Sequence, residues 1–107
     1  MPRYGAADGG AFELQRRAPG RFAARGVLTF ASARGAWEEG LAALRADTSR
    51  TIEVECAGVT CADSAGLAVL LDWLGAAKRG GRSITYRYLP HSLRSLAAIS
   101  DLEKLLG

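Results

Sequence analysis

A hydroxyl group at the start of a predicted helix is the feature of this sequence that comes closest to chemistry. It belongs to Ser64, in the segment Asp63-Ser64-Ala65-Gly66, which leads into a leucine-rich stretch with helical spacing. One interpretation is structural, because Asp and Ser side chains often accept hydrogen bonds from the free N–H groups of a first helical turn. The other is functional: a phosphate on an exposed Ser64 adds about −1.5 to −2 charge beside those N–H groups and repels a partner. The segment alone leaves both interpretations open.

No other residues form a pattern typical of catalysis or cofactor binding. The single histidine, His91, follows Pro90 and is predicted to be a surface or helix-start residue. Ser64 lacks the flanking glycines of a nucleophile elbow, and the chain has no glycine-rich phosphate loop. Cys56 and Cys61, with one distant histidine, do not form a zinc pattern. We therefore predict a protein that is not an enzyme and has no catalytic residue, no metal and no cofactor.

The length and composition suit a single small domain. The chain has 107 residues, of which 49% are hydrophobic, enough for one core and too few for two. No apolar run approaches the ~20 residues of a transmembrane helix, and the N-terminus has no apolar stretch of the secretory type. The two cysteines are therefore predicted to be reduced thiols in a cytoplasmic protein, with a redox pair as the alternative.

Basic residues exceed acidic residues, 14 to 11, which gives a formal net charge of +3. Twelve of the basic residues are arginines, spread from Arg3 to Arg94 without a run longer than two. Surfaces that bind nucleic acid normally concentrate such residues on one face. We therefore interpret the arginines as a solvated surface and expect no nucleic-acid partner. Weak attraction to an acidic partner or to an anionic membrane surface stays open.

Alternation and helical periodicity predict the elements that must hold Ser64 in place. Strands are predicted at residues 12–18, 22–30, 51–56 and 83–89. Helices are predicted at residues 32–46 and 64–79, with two short helices after Pro90. The strand–helix–strand order around the long helix implies parallel pairing through a right-handed crossover. Residues 1–10, rich in Gly and Ala, are predicted to be a flexible tail, which leaves residues 11–107 as one α/β domain.

The long helix predicted at residues 64–79 has two apolar faces. One face is leucine-rich and is predicted to pack on the sheet: Leu67, Leu70, Leu71 and Leu74. The opposite face consists of Ala65, Val69, Asp72 and Ala76. Asp72 carries its single charge, and Trp73 lies beside it. An apolar outward face with a tryptophan often marks a contact with a partner, so Trp73→Ala is expected to weaken binding more than folding. The alternative is that a neighbouring short helix covers Trp73.

Residues 59–81 resemble the STAS domain. The resemblance rests on Asp63-Ser64-Ala65-Gly66-Leu67, which enters a leucine-rich helix that ends in Lys78-Arg79-Gly80-Gly81. Anti-sigma factor antagonists of this family carry an Asp-Ser-x-Gly-Leu motif at the same place, and a partner kinase phosphorylates its serine, which corresponds to Ser64. The resemblance implies an α/β STAS fold, with a mixed, mostly parallel sheet of four or five strands and helices packed on it.

The sequence segments that flank this motif are similar to those of the STAS subunit of the Mla-type (lipid asymmetry) phospholipid-transport ABC complex of bacteria. They are found at residues 27–33, at Leu71-Asp72-Trp73-Leu74, and in the leucines of residues 93–106. This likeness implies an accessory subunit that binds the cytoplasmic ATPase and supports the assembly or activity of the transporter. It would lie in the cytoplasm, peripheral to the inner membrane through its partner. The partner-binding residues would be Asp63, Ser64, Ala65, Gly66, Val69 and Trp73. The alternative is an anti-sigma factor antagonist, regulated by phosphorylation of Ser64, with a serine kinase and an anti-sigma factor as partners.

Overall fold

The computed structural model describes residues 11–100 and 102–106. Within these ranges the elements are β1 (Glu13–Ala18), β2 (Arg21–Leu28), α1 (Ala33–Ala46), β3 (Thr51–Ala62), α2 (Ser64–Arg79), β4 (Ser83–Arg87), α3 (His91–Ile99) and α4 (Glu103–Leu106). This order confirms the predicted α/β class and the predicted succession of elements. The tail predicted at residues 1–10 lies outside the described residues.

The four strands of the described chain form one sheet in the order β1-β2-β3-β4. β1 and β2 form an antiparallel hairpin, whereas β2 with β3 and β3 with β4 are parallel. The sheet is therefore mixed and mostly parallel, as predicted, with the smaller of the two expected strand numbers. Phe22, Val54 and Tyr86 are neighbours across the three parallel strands and are all buried.

Helices cover one face of this sheet in the described part of the chain. On β3 and β4, Val54 and Tyr86 point into the core, while alternate residues such as Thr85 and Arg87 are exposed. Mostly parallel sheets are usually covered on both faces. Here the second face carries charged side chains, including an ion pair between Arg87 Nε and Glu53 Oε1 at 3.2 Å. The helices and the functional residues they carry therefore lie on one side.

β3 is longer than the alternating pattern predicted. It continues to Ala62 because its second half pairs with the second half of β2, with Gly26 opposite Val59 and Leu28 opposite Ala62. This pairing satisfies the backbone groups of a stretch with weak β-propensity. As a result, α2 begins directly at the edge of the sheet, two residues after Ala62. None of the described helices is long and apolar enough to cross a membrane.

Candidate functional site

Asp63 joins the start of α2 to the loop that follows β2. Its Oδ1 atom accepts hydrogen bonds from the backbone N–H groups of Ala65 and Gly66, at 2.9 and 3.1 Å. Its Oδ2 atom accepts a hydrogen bond from the backbone N–H of Phe30 at 3.0 Å. The hydrogen bond from Phe30 is the largest cause of a lowered pKa for the Asp63 carboxyl, and those from Gly66 and Ala65 add to it. Asp63 is therefore an ionised helix cap that also fixes the neighbouring loop.

The loop fixed by Asp63 presents Phe30 to solvent. Ser32 orders the same loop, since its hydroxyl donates to the carbonyl of Val27 at 2.6 Å and accepts from the N–H of Thr29 at 3.1 Å. The Phe30 side chain is nevertheless one of the most exposed large apolar groups of the described chain, at 84%. Sequence reasoning missed this residue, because Phe30 continues an apolar strand pattern and its exposure depends on β2 ending at Leu28.

Gly66 allows α2 to lie against the end of β2. A Cβ atom at this position would overlap the carbonyl oxygen of Leu28, so only glycine permits this approach. Gly66 is itself buried. Its place in the motif is therefore explained by packing of the helix start, rather than by a surface that it offers to a partner.

Ser64, the first residue of α2, is exposed, and Ala65 beside it is half-buried. The sequence placed Ser64 beside free N–H groups of the first helical turn, and this part of the prediction is wrong. The N–H groups of Ala65 and Gly66 are taken by the Asp63 carboxylate, and that of Leu67 donates to the Asp63 carbonyl at 3.1 Å. A phosphate on Ser64 would therefore meet the Asp63 charge with fewer donors to stabilise it.

Trp73 and Val69 do not form an outward face, which corrects the prediction for both residues. Trp73 is 1% exposed and Val69 is 5% exposed. The indole N–H of Trp73 donates to the carbonyl of Trp37 in α1 at 3.3 Å, and its ring packs against Gly40 of that helix. The alternative, that a neighbouring helix covers Trp73, is correct, although the helix is the 14-residue α1 rather than a short one. Neither side chain is available to a partner.

The solvent-facing stripe of α2 is narrower than predicted because both the sheet and α1 pack on the helix. Leu67 and Leu70 are buried as predicted, but Leu71 and Leu74 are only half-buried. The exposed positions of the first three turns are Ser64, Ala68 and Asp72, which lie four residues apart. The exposed residues at the start of α2 therefore include Ser64 and Ala68, and Phe30 is exposed on the loop whose backbone the neighbouring Asp63 binds.

The two thiols do not form a redox pair. Cys56 is buried and Cys61 is exposed on the same strand, β3. Cys61 lies five positions after Cys56 on an extended strand, so their Cα atoms are roughly 16 Å apart, far beyond the ~7 Å limit for a disulfide. Burial raises the pKa of the Cys56 thiol to about 12, which keeps it protonated. His91 lies at the start of α3, as predicted, with its ring 3.2 Å from the Ser95 hydroxyl.

The family model described as "Mlab, STAS domain" matches residues 13–107 of the chain. The protein therefore belongs to this family of STAS domains, as the motif around Ser64 indicated. A comparison with curated proteins gives no match.

The fold is similar to that of solved STAS structures. The unphosphorylated anti-sigma factor antagonist SpoIIAA aligns with a TM-score of 0.70 and 17% identity, over 88% of this chain and 84% of that chain. The phosphorylated form of the Bacillus cell fate determinant SpoIIAA aligns with a TM-score of 0.67 and 17% identity, over 88% and 86%. A part of SLC26A9, 16% of that chain, aligns with 78% of this one at a TM-score of 0.61 and 13% identity. At these identities the likeness establishes the STAS fold.

Proposed function

We propose that this chain is a non-catalytic accessory subunit that binds the cytoplasmic ATPase of a phospholipid-transport ABC transporter and supports its assembly or activity. The description of the matching family, which names the Mlab STAS domain, supports this function. The observation that carries it is an exposed aromatic residue, Phe30, whose backbone N–H binds Asp63, the residue before the motif serine. We call Phe30, Ser64 and Ala68 the Ser64 surface and propose it as the ATPase contact.

The Ser64 surface has the physical properties of a docking site. The Phe30 ring is exposed, while its backbone N–H is held by the Asp63 carboxylate. A ring on an ordered loop loses little conformational entropy on binding, as expected for an aromatic anchor. Ser64 and Ala68 have small side chains and are exposed on the adjacent turns of α2, so a partner backbone can approach the helix closely.

The partner is identified by purifying the tagged chain from its native cells and analysing the associated proteins by mass spectrometry. We expect to recover an ABC ATPase together with a membrane permease. Recovery of neither, with a different set of proteins bound in a stoichiometric amount, would rule out the transporter role.

Two variants then test the surface against the purified ATPase. Ser64→Glu introduces a charge into a desolvated contact, and Phe30→Ala removes the anchor, so each is expected to weaken binding at least tenfold, or by roughly 1.4 kcal/mol. The matched control for Ser64→Glu is Ser92→Glu, because Ser92 is also an exposed serine in the first turn of a helix, α3. The matched control for Phe30→Ala is Tyr88→Ala, because Tyr88 is also an exposed aromatic residue, at 67%. Equal affinities for the surface variants and their controls would place the contact elsewhere.

A second candidate function is that of an anti-sigma factor antagonist switched by phosphorylation of Ser64. The observation that favours it is the exposure of Ser64 at the first position of α2, which leaves its hydroxyl accessible to a kinase. Phosphate added there lies next to the Asp63 carboxylate and raises the negative charge of the helix start. The intact mass of the chain purified from its native cells tests this function. A serine kinase that copurifies, with phosphate on Ser64, supports it, and an unmodified chain bound to an ATPase rules it out.

A further inference from the structure

The fold gathers basic residues at the end of the domain opposite Ser64. Hydrogen bonds tie the parts of this end together: the N–H of Gly20 donates to Asp47 Oδ2 at 2.7 Å, and the N–H of Ser83 donates to the Arg50 carbonyl at 2.9 Å. Eight of the 14 basic residues of the chain lie there, a set that we call the basic end: Arg16, Arg17, Arg21, Arg45, Arg50, Lys78, Arg79 and Arg82. They are dispersed in the sequence, so only the tertiary structure brings them together.

Most of these cations face solvent. All members of the basic end except Arg82 are exposed. Arg82 instead holds the end together, because its guanidinium donates to the carbonyls of Leu44, Asp47 and Ser49. This network fixes the C-terminal end of α1 and the loop before β3 beside the C-terminal end of α2. The exposed cations are therefore presented by a rigid base.

Acidic side chains offset part of this charge, since Glu53 and Glu55 line a pocket together with Arg17 and Arg21. Asp47 is buried, accepts hydrogen bonds from the N–H groups of Gly20 and Ser49, and forms an ion pair with Arg16 at 3.0 Å, which offsets that cation. Glu53, the residue opposite Arg21 in the sheet, is paired with Arg87. The C-terminal ends of α1 and α2 each contribute about half a negative charge, which offsets roughly one cation in total. A positive surface remains, carried by four exposed cations that form no ion pair among the described residues: Arg45, Arg50, Lys78 and Arg79.

An apolar groove adjoins the basic end. It has a volume of about 500 Å³, and its lining includes Leu71, Leu74, Leu105 and Lys78. Leu105 is 58% exposed. Cations beside an open apolar groove fit an amphiphile that carries negative charge. We infer that the basic end docks on the anionic phospholipid headgroups of a bilayer surface, a contact separate from the Ser64 surface and independent of which protein binds there.

The same observations favour a bilayer over nucleic acid. Proteins that bind single strands present several aromatic rings on which successive bases stack. One exposed ring of the described chain, Tyr88, shares a pocket with Arg17 and Arg21, and a single ring does not make such a platform. Proteins that read duplex DNA insert a helix or a strand pair into a groove. The basic end presents loops and the C-terminal ends of helices, which suit a flat headgroup layer.

The test is sedimentation of the full chain with vesicles of phosphatidylcholine that contain about 30% phosphatidylglycerol, compared with pure phosphatidylcholine. The variant Arg50→Gln/Arg79→Gln removes two charges of the basic end. The matched control, Arg34→Gln/Arg94→Gln, changes the net charge equally at two exposed positions elsewhere. Since each basic residue near an anionic membrane contributes about fivefold to partitioning, the first variant is expected to bind about 30-fold more weakly. The control should stay within about threefold of the wild type, and salt at about 0.5 M should release the protein.

Three outcomes would overturn the inference. The first is that the wild-type chain does not sediment with the anionic vesicles at about 0.1 M salt. The second is that the two variants lose vesicle affinity equally. The third is that a duplex DNA fragment, bound more tightly than the vesicles, releases the chain from them. Thermal melts of both variants exclude unfolding as the cause of a loss. The vesicles contain no ATPase, so failure here leaves the proposed ATPase contact untouched, and failure of that contact leaves this result standing.

Discussion

Replacing Asp63 with asparagine is expected to release the Phe30 loop while keeping the start of α2 capped. The Oδ1 atom of asparagine still accepts hydrogen bonds from the N–H groups of Ala65 and Gly66, and asparagine is among the best helix caps. Its amide group, however, replaces Oδ2 and presents a donor to the N–H of Phe30. The substitution therefore separates the two tasks of one carboxylate.

The magnitude follows from the single hydrogen bond that is lost. A hydrogen bond to a charged group contributes about 1.5–3 kcal/mol, and this one is solvent-accessible, so we expect about 1–2 kcal/mol for the loop. That corresponds to about 5- to 30-fold more frequent opening of the loop. Asp63→Ala also removes the cap and is expected to cost about 1 kcal/mol more in the free energy of unfolding. Both effects are large against a total stability of about 5–15 kcal/mol.

Amide hydrogen exchange measured by NMR tests this reasoning directly. In Asp63→Asn, exchange of the Phe30 amide should accelerate about 5- to 30-fold, while that of Gly20, held by Asp47 at the far end of the domain, should stay unchanged. Affinity for the ATPase should fall as well, because the Phe30 anchor is less ordered. An unchanged Phe30 amide, or an equal acceleration at Gly20, would refute the role assigned to the Asp63–Phe30 hydrogen bond.

Other substitutions probe the core and its electrostatics. Gly40→Ala places a methyl group against the Trp73 ring and is expected to lower the free energy of unfolding by about 1–3 kcal/mol in urea denaturation. Gly35→Ala, in the same helix with open space around it, should be neutral or slightly stabilising. Trp73→Ala should destabilise the fold by about 3–5 kcal/mol in thermal melts, and a normal melting temperature with lost binding would contradict its burial. The pKa values of Asp47 and Asp63 are lowered in the folded state, chiefly by the hydrogen bonds from Gly20 and Phe30. The two carboxylates therefore stabilise the fold fully above their unfolded pKa near 4, and this stabilisation is lost as pH falls through their lower folded-state pKa values. The free energy of unfolding should decline below pH ~4, and it should decline less in Asp47→Asn.

Local signals in the sequence were sufficient to predict the secondary-structure elements and to identify the motif around Ser64. Alternation, helical periodicity and capping residues depend on near neighbours, so they predicted the order of strands and helices and the start of α2 after Asp63. They failed where pairing with a neighbouring strand decides the secondary structure. The second half of β3 has weak intrinsic preference, and it is a strand because β2 lies beside it.

Which faces of α2 are buried was decided by the tertiary structure alone. A helical pattern shows that Val69 and Trp73 are apolar, but it does not show that α1 packs over them through Gly40. The same holds for Phe30, whose exposure follows from the end of β2. It also holds for the basic residues, which are dispersed along the chain and brought to one end by the hairpin and the crossover connections. The sequence by itself determined the order of strands and helices and the serine motif, because local residue types specify both, and the STAS fold followed from the resemblance that the motif carries. The surfaces around them depend on contacts between residues distant in the chain, and only the folded structure determines those contacts.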